Sequence, residues 1–275
     1  MALVINTNVA SLQAGRSVSK TRQAMEGAME RLASGKRINS ASDDAAGVAV
    51  SARMKSQIDG LNMAVRNAND GISLARTAEG TLDEVDTMLH RMRELAIQAA
   101  NGTYGDTDRG YLNEEFSRLI IEIERVATQS KWGQDVGLTD GTNSSLEIQV
   151  GLDSGHTISI SLVDVSTSAL GISALAINTQ SGAVGTLSTI DVALDTINAA
   201  RAKLGAAANR LEHTVSNLMS MVQHTEESKS RVLDADFAAE SAALARAQIL
   251  AQAGTAMLAQ ANQAQQYVLS LLRGS

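Results

Sequence analysis

The residues of this chain best equipped for chemistry are its four histidines and a run of carboxylates. His90, His156, His213 and His224 would have to converge with acids or with each other to hold a metal or move a proton. Their spacing does not support this. No HExxH occurs, and His213 and His224 stand eleven positions apart, whereas a zinc-binding pair on a helix needs four. Each histidine therefore reads as a solvated surface group. Glu79, Asp83, Glu84, Asp86 and Glu94 fall opposite the apolar positions of their segment, the pattern of a solvated helix face with i,i+4 pairs. Glycines never form GxGxxG after a strand or GxxxxGK[ST], which removes support for nucleotide binding. Met88 and Met92 lie on or beside an apolar seam and read as core filling. "NGT" (101–103) and "NSS" (143–145) match a glycosylation triplet that is common by chance. No catalytic, cofactor or metal constellation emerges, so the expectation is that the chain is not an enzyme.

The elements that would position these residues are long helices. Leu61, Ala64, Ala68, Gly71, Ala75, Ala78, Leu82, Val85, Leu89, Met92, Ala96 and Ala99 alternate steps of three and four without a break. That spacing predicts one narrow seam on a helix, about 57 Å long at the α-helical rise. A second seam runs Leu112, Phe116, Leu119, Ile123, Val126. A third runs from Ile190 to Val222, with Arg201 its one polar intruder. The chain end supplies a fourth, Ala247, Leu250, Gly254, Met257, Ala261, Ala264, Val268, Leu271, in a stretch uncharged between Arg246 and Arg273 and rich in Asn and Gln. The beginning is looser, with Ile5, Val9, Leu12, Val18, Met25 and Leu32. Neither end can bury its seam alone, so the two are expected to pair.

Between the helices the period changes to two. "LEIQV" (146–150) and "TISISLV" (157–163) flank "GLDSG" and predict a β-hairpin with one covered face. Residues 164–186 read as loop with one short strand at most. Residues 34–47 read as a break, with Asp43 and Asp44 favouring the N-terminus of the next helix. The fold class expected is mainly α: a long coiled-coil or helical bundle built from both chain ends, with a small β-hairpin insertion.

Composition agrees. The 275 residues include no Pro and no Cys, and only 2% are aromatic, which suits extended helices better than a compact α/β enzyme. A net charge of −7 argues against a nucleic-acid surface. No stretch of about 18 apolar residues is present, so no membrane insertion is expected. The opening residues lack a basic n-region and a long apolar run, which excludes a cleaved secretory signal and by itself suggests a cytoplasmic protein.

Several long segments in order change that localisation. "MALVINTNVASL", "RLASGKRINSASDDAAGVAVSARM", "LDEVDTMLHRMRELAIQAANGT" and "QILAQAGTAMLAQANQAQQYVLSLLR" together resemble bacterial flagellin, over roughly residues 1–130 and 190–275. The small insertion makes it similar to a short flagellin with little or no outer variable domain. One departure lies at Trp132-Gly133-Gln134, where many relatives carry Asn-Gly after an aromatic. The resemblance implies a structural subunit that self-assembles into the helical flagellar filament for swimming, with residues 1–33 and 237–275 as inner-core helices. Residues 34–47 and 231–236 would be spoke connectors. Residues 48–186 and 187–230 would be a helical shell, with the hairpin region near 140–186. It implies a self-assembly seam of Ile5, Val9, Leu12, Leu32, Leu250, Met257, Ala261, Ala264, Val268, Leu271 and Arg273. It implies extracellular location in the filament, with export through the flagellar channel and no cleaved signal, to which a chain without Cys or Pro is suited. The implied partners are further copies of the chain, an export chaperone, the filament cap and hook-junction proteins. A vertebrate Toll-like receptor could contact Arg91, Leu95 and Glu115. The alternatives are a hook–filament junction protein of the same family, a flagellin carrying a metalloprotease insert, and a cytoplasmic coiled-coil signalling module.

Overall fold

The computed structural model describes residues 7–273, with side chains described for 7–264. The elements in chain order are α1 (Val9–Ser34), α2 (Ala45–Ala100), α3 (Asp106–Gln129), β1 (Lys131–Trp132), β2 (Val136–Gly137), β3 (Ser145–Gln149), β4 (Thr157–Ser161), α4 (Gln180–Leu233) and α5 (Phe237–Arg273). The expected mainly α fold with a small hairpin is what forms. Two compact units divide the chain. One comprises Met1–Ser56 with His224–Ser275, the other Gln57–Gln223. The unit boundaries, at 56/57 and 223/224, lie inside the 48–230 shell expected from the sequence.

In the Gln57–Gln223 unit the α2 seam is realised completely. Every residue from Leu61 to Ala99 in the three–four series is buried. Alanine dominates both ends of that seam, which lets neighbouring elements approach closely. Leu82, Val85, Leu89 and Met92 fill its middle, in one core with Phe116 and Ile123 of α3 and Ile190, Ile197 and Leu204 of α4. Gly71 needs its lack of a side chain. A Cβ there would lie 3.1 Å from Ile148 of β3 and 3.2 Å from Leu211 of α4. Arg201, the polar intruder, is half-buried and reaches back to Asp83 at 2.9 Å and Asp86 at 3.7 Å on α2. Its charge is thus paired at the edge of the seam instead of entering the core.

The hairpin pairs Leu146 with Ile160 and Ile148 with Ile158, which places four apolar side chains on one face. Ile158 and Ile160 are buried in the helical core. Two details differ from the sequence expectation, and the loop expected after the hairpin forms without a strand. Residues 131–137 add a second, two-residue ladder, Lys131 with Gly137 and Trp132 with Val136, turning through Gly133 at φ 67°. The segment 164–179 contains no strand and is held as turns, with Ile172 and Ile177 fully buried. The helix α4 begins at Gln180 and not near 187. Gly182 and Gly185 weaken the local helix signal there, but Ala183 and Thr186 are buried and the Thr179 hydroxyl accepts from Gly182 N at 3.2 Å. Tertiary burial and a cap override propensity.

The loop segments of this unit are tied to α3 by polar bonds. Glu124 accepts from Thr167 N at 2.8 Å and Thr167 Oγ1 at 2.7 Å, and Asn113 accepts from Ile177 N at 2.8 Å. Thr139 Oγ1 donates to Ala127 O at 3.0 Å. Buried backbone that lies outside regular structure finds its partners in this way.

Candidate functional site

The terminal unit is organised around the antiparallel pair α1 and α5. Asn8 Nδ2 donates to Ala261 O at 3.1 Å, Arg31 Nη1 to Glu240 Oε1 at 3.2 Å, and Lys36 forms an isolated bridge with Asp234. These three ties fix one register along the whole pair. The chain reverses into the register through Gly35, left-handed at φ 68°, whose carbonyl accepts from Ala235 N at 3.0 Å. Asp236 caps α5 by accepting from Ala238 N at 2.9 Å. Asp44 Oδ1 caps α2 by accepting from Ala46 and Gly47 N.

Asp43, expected to act with Asp44, turns the other way. Its carboxylate accepts from Ser40 N at 2.9 Å, Ser40 Oγ at 3.1 Å and Asn39 N at 3.1 Å. These bonds, the Ser40 backbone first, hold its pKa below the usual aspartate value. Asp43 thus folds the connector while Asp44 starts the helix.

The covered face of α1 consists of Ser11, Ala14, Val18, Thr21, Met25, Ala28 and Leu32, again in steps of three and four. On α5 it consists of Leu244, Ala247, Ala251, Gly254, Leu258 and Ala261. Only Val18, Ala28 and Ala247 are fully buried; the others are half-covered. A Cβ on Gly254 would lie 2.8 Å from Val18 Cγ2, so this contact requires glycine. The seam expected along α5 is therefore corrected. It shares Ala247, Gly254 and Ala261 with the observed one, but Leu250, Met257 and Ala264 are exposed. In an Ala-rich helix two adjacent stripes carry similar apolar content, and only the facing helix selects between them.

Other large apolar residues of the two helices are left exposed. Val9 and Leu12 of α1 are exposed, as are Phe237, Ile249, Leu250 and Met257 of α5, with Met257 65% exposed. Leu250 and Met257 line an open groove of about 430 Å³ with Ala10, Gln13, Ala14 and Gly254. Leu32 is half-buried on the α1–α5 seam itself. Ile5 lies outside the described residues, and so do the side chains of Val268, Leu271 and Arg273.

The second group of expected site residues sits in the Gln57–Gln223 unit. Arg91 Nε donates to Glu115 Oε1 at 2.8 Å, and Nη1 donates to Glu94 Oε2 at 2.9 Å, joining α2 to α3. The Glu115 bond, followed by Glu94, raises the Arg91 pKa further above its already high value. Both Arg91 and Glu115 remain about half exposed at the side chain. Leu95 departs from the expected contact set. It is 1% exposed, because its position on α2 faces the core, and it presents no surface to a partner.

Sequence reasoning missed Arg109. Its side chain is buried, with Nε on Ala99 O at 2.8 Å, Nη2 on Asn101 O at 3.1 Å and Nη1 on Asp106 Oδ1 at 3.0 Å. The guanidinium closes the C-terminal end of α2, where helical carbonyls otherwise lack donors. An Arg just inside the next helix was the available signal, though its target is main chain and leaves no mark in the side-chain pattern. All four histidines are exposed, and among the described residues no group of three His, Cys, Asp or Glu could hold a metal. No described helix is long and apolar enough to cross a membrane.

Comparison with known proteins agrees with this architecture. The bacterial flagellin N-terminal helical region matches residues 5–144, and the bacterial flagellin C-terminal helical region matches residues 187–272. A flagellin of Halalkalibacterium halodurans is 44% identical over 273 residues, covering 98% of this chain and all of the relative. The flagellar filament 33 kDa core protein of Treponema phagedenis is 40% identical over 286 residues, again across 98% of this chain and all of that one. The crystal structure of Bacillus cereus flagellin shares 33% identity and superposes with a TM-score of 0.51, over 56% of this chain and 88% of that one. Two helical regions matched in order at both ends, and relatives of 40% identity or more along almost the whole chain, lead to one assignment: the chain belongs to the bacterial flagellin family, the structural subunits of the flagellar filament.

Proposed function

We propose that the α1–α5 pair is the assembly element of this subunit, and that its exposed apolar stripe is covered by further copies of the chain. The observation that carries this is the thin α1–α5 seam beside large apolar residues left exposed on both helices: Val9 and Leu12 on α1, and Leu250 and Met257 on α5, the latter two lining one groove. The intrachain seam buries little area, so isolated terminal helices gain little from pairing. Each large apolar side chain fully covered by a neighbour adds roughly 1.5–3 kcal/mol. A heterologous contact of this kind, repeated without closing, gives an open helical polymer. Ala261 and Ala264 would let neighbouring helices approach closely.

In this reading the Gln57–Gln223 unit is a prefolded strut and the connector at residues 34–47 and 234–236 links it to the assembling helices. The subunit works outside the cell as part of the filament, reached by export through the flagellar channel. An export chaperone masking α5, a filament cap and hook-junction proteins are the partners such a life cycle requires. Receptor recognition, where it occurs, would use the exposed Arg91–Glu115 pair, with Leu95 supporting α2 from within.

The test is a pair of charge substitutions, Leu250→Glu with Met257→Glu. Both side chains are exposed in the single chain, so monomer helicity should stay unchanged by circular dichroism. Seeded polymerisation followed by electron microscopy should yield no filaments. Filaments of normal yield from the double variant would refute the assignment.

A further inference from the structure

We propose that Asn101–Gly102, at the turn between α2 and α3, is a self-modifying site: it deamidates through a succinimide, and Arg109 activates the step. It is the one Asn-Gly pair in the chain. Asn101 and Gly102 are both exposed, and the space where a Gly102 side chain would stand is open, with Gln180 Nε2 the nearest atom at 3.6 Å. The Asn101 side chain is bent back over its own downstream backbone, since Oδ1 accepts from Thr103 N at 3.2 Å. The succinimide would close between Cγ of this side chain and the Gly102 nitrogen.

The second contribution is electrostatic. The nucleophile is the Gly102 nitrogen after loss of its proton, and the resulting charge is shared with the carbonyl oxygen of the same peptide group, Asn101 O. The buried guanidinium of Arg109 donates to that oxygen through Nη2 at 3.1 Å, and Tyr104 N adds a longer bond at 3.4 Å. A cation hydrogen-bonded to the atom where negative charge develops favours the reaction. The Gly102 N–H proton passes to solvent base and a bond forms from Gly102 N to Asn101 Cγ. The Cγ–Nδ2 bond then breaks, and Nδ2 leaves as ammonia with a proton from water. Water opens the cyclic imide at either carbonyl, leaving aspartate or isoaspartate at position 101. The isoaspartate product inserts a methylene into the main chain where Arg109 closes α2.

The experiment uses the full chain, incubated folded at mildly alkaline pH and, in parallel, unfolded in guanidinium. Peptide mapping by mass spectrometry follows each Asn, and enzymatic methylation by an isoaspartyl methyltransferase counts isoaspartate. Conversion at Asn101 should lead that at every other Asn, Asn143 included, and should be no slower in the folded chain than in the unfolded one. Gly102→Ala should suppress it and leave Asn143 unchanged. Arg109→Gln, checked for retained helicity, should slow it on the order of tenfold, the loss of one charge-assisted hydrogen bond. Folding that strongly protects Asn101, or a Gly102→Ala chain that converts at the parent rate, would overturn the proposal. An Arg109→Gln chain that stays helical yet converts at the parent rate or faster would overturn the activating role.

Discussion

The α2 seam and the α1–α5 seam obey the same three–four spacing, yet one is sealed by its own chain and the other is not. Along α2 every seam residue from Leu61 to Ala99 is buried, with Leu89, Met92 and Phe116 at the centre of a continuous core. Among the described residues of the terminal pair only Val18, Ala28 and Ala247 reach that state, while Leu250 and Met257 stand exposed beside the seam. The difference lies in what faces each helix. α2 shares one core with α3, α4 and the hairpin, so its seam is enclosed from several directions. Helices α1 and α5 have chiefly each other, and two thin helices cannot enclose a core. Periodicity thus specifies that a helix needs partners, and the number of partners within the chain decides whether it also needs neighbours.

The largest effect on this contrast should come from removing the incomplete side. A chain truncated before residue 248 should form no filaments in seeded assembly, while circular dichroism shows that the helices of residues 57–223 survive. Loss of helicity throughout would show that the two units do not stand independently. Next comes the sealed side. Phe116→Ala removes a fully buried ring and should destabilise the 57–223 unit by about 3–5 kcal/mol in a denaturant melt, well beyond any effect of an exposed change such as Leu250→Ala. Gly254→Val tests the narrowness of the terminal seam. Its new side chain meets Val18, and overpacking of about 1–3 kcal/mol should loosen α1 from α5, read as faster amide exchange in both helices.

Smaller effects separate the two aspartates of the connector. Asp44→Ala removes the cap of α2 and should cost about 1 kcal/mol, measurable as a lower denaturant midpoint. Asp43 contributes through a carboxyl whose pKa is lowered in the folded chain by its bonds to Ser40 and Asn39. Its stabilisation is therefore present above the unfolded aspartate value near 3.8 and is lost as pH falls through the lower folded value. Protection factors at Asn39 and Ser40, corrected for intrinsic exchange at each pH, should fall on acidification in the parent and be insensitive to pH over that window in Asp43→Asn. Equal pH responses in the two chains would remove this assignment.

Much of this was legible before any coordinates. The α2 and α4 seams could be read residue by residue, and the alternation in 146–150 and 157–163 located the hairpin within two residues. What escaped was of three kinds. The start of α4 was hidden because Gly182 and Gly185 weaken a local signal that burial of Ala183 and Thr186 then overrules. Arg109 was hidden because it answers main-chain carbonyls, which no side-chain pattern records. Leu95 was given to a partner on family grounds, although it fills the core beside Ala96 and Ala99.

The amino-acid sequence by itself determined that this protein is a set of long seamed helices with both ends needing partners, because three–four spacing of apolar groups is a local property of the chain. It also determined the absence of any catalytic motif and the family. Tertiary structure alone decided which stripe of α5 faces α1. Leu250 and Ala251 are adjacent and both apolar, and nothing local ranks them. The register set by Asn8 with Ala261, Arg31 with Glu240 and Lys36 with Asp234, together with the close fit of Gly254 on Val18, turns Ala251 inward and leaves Leu250 facing out.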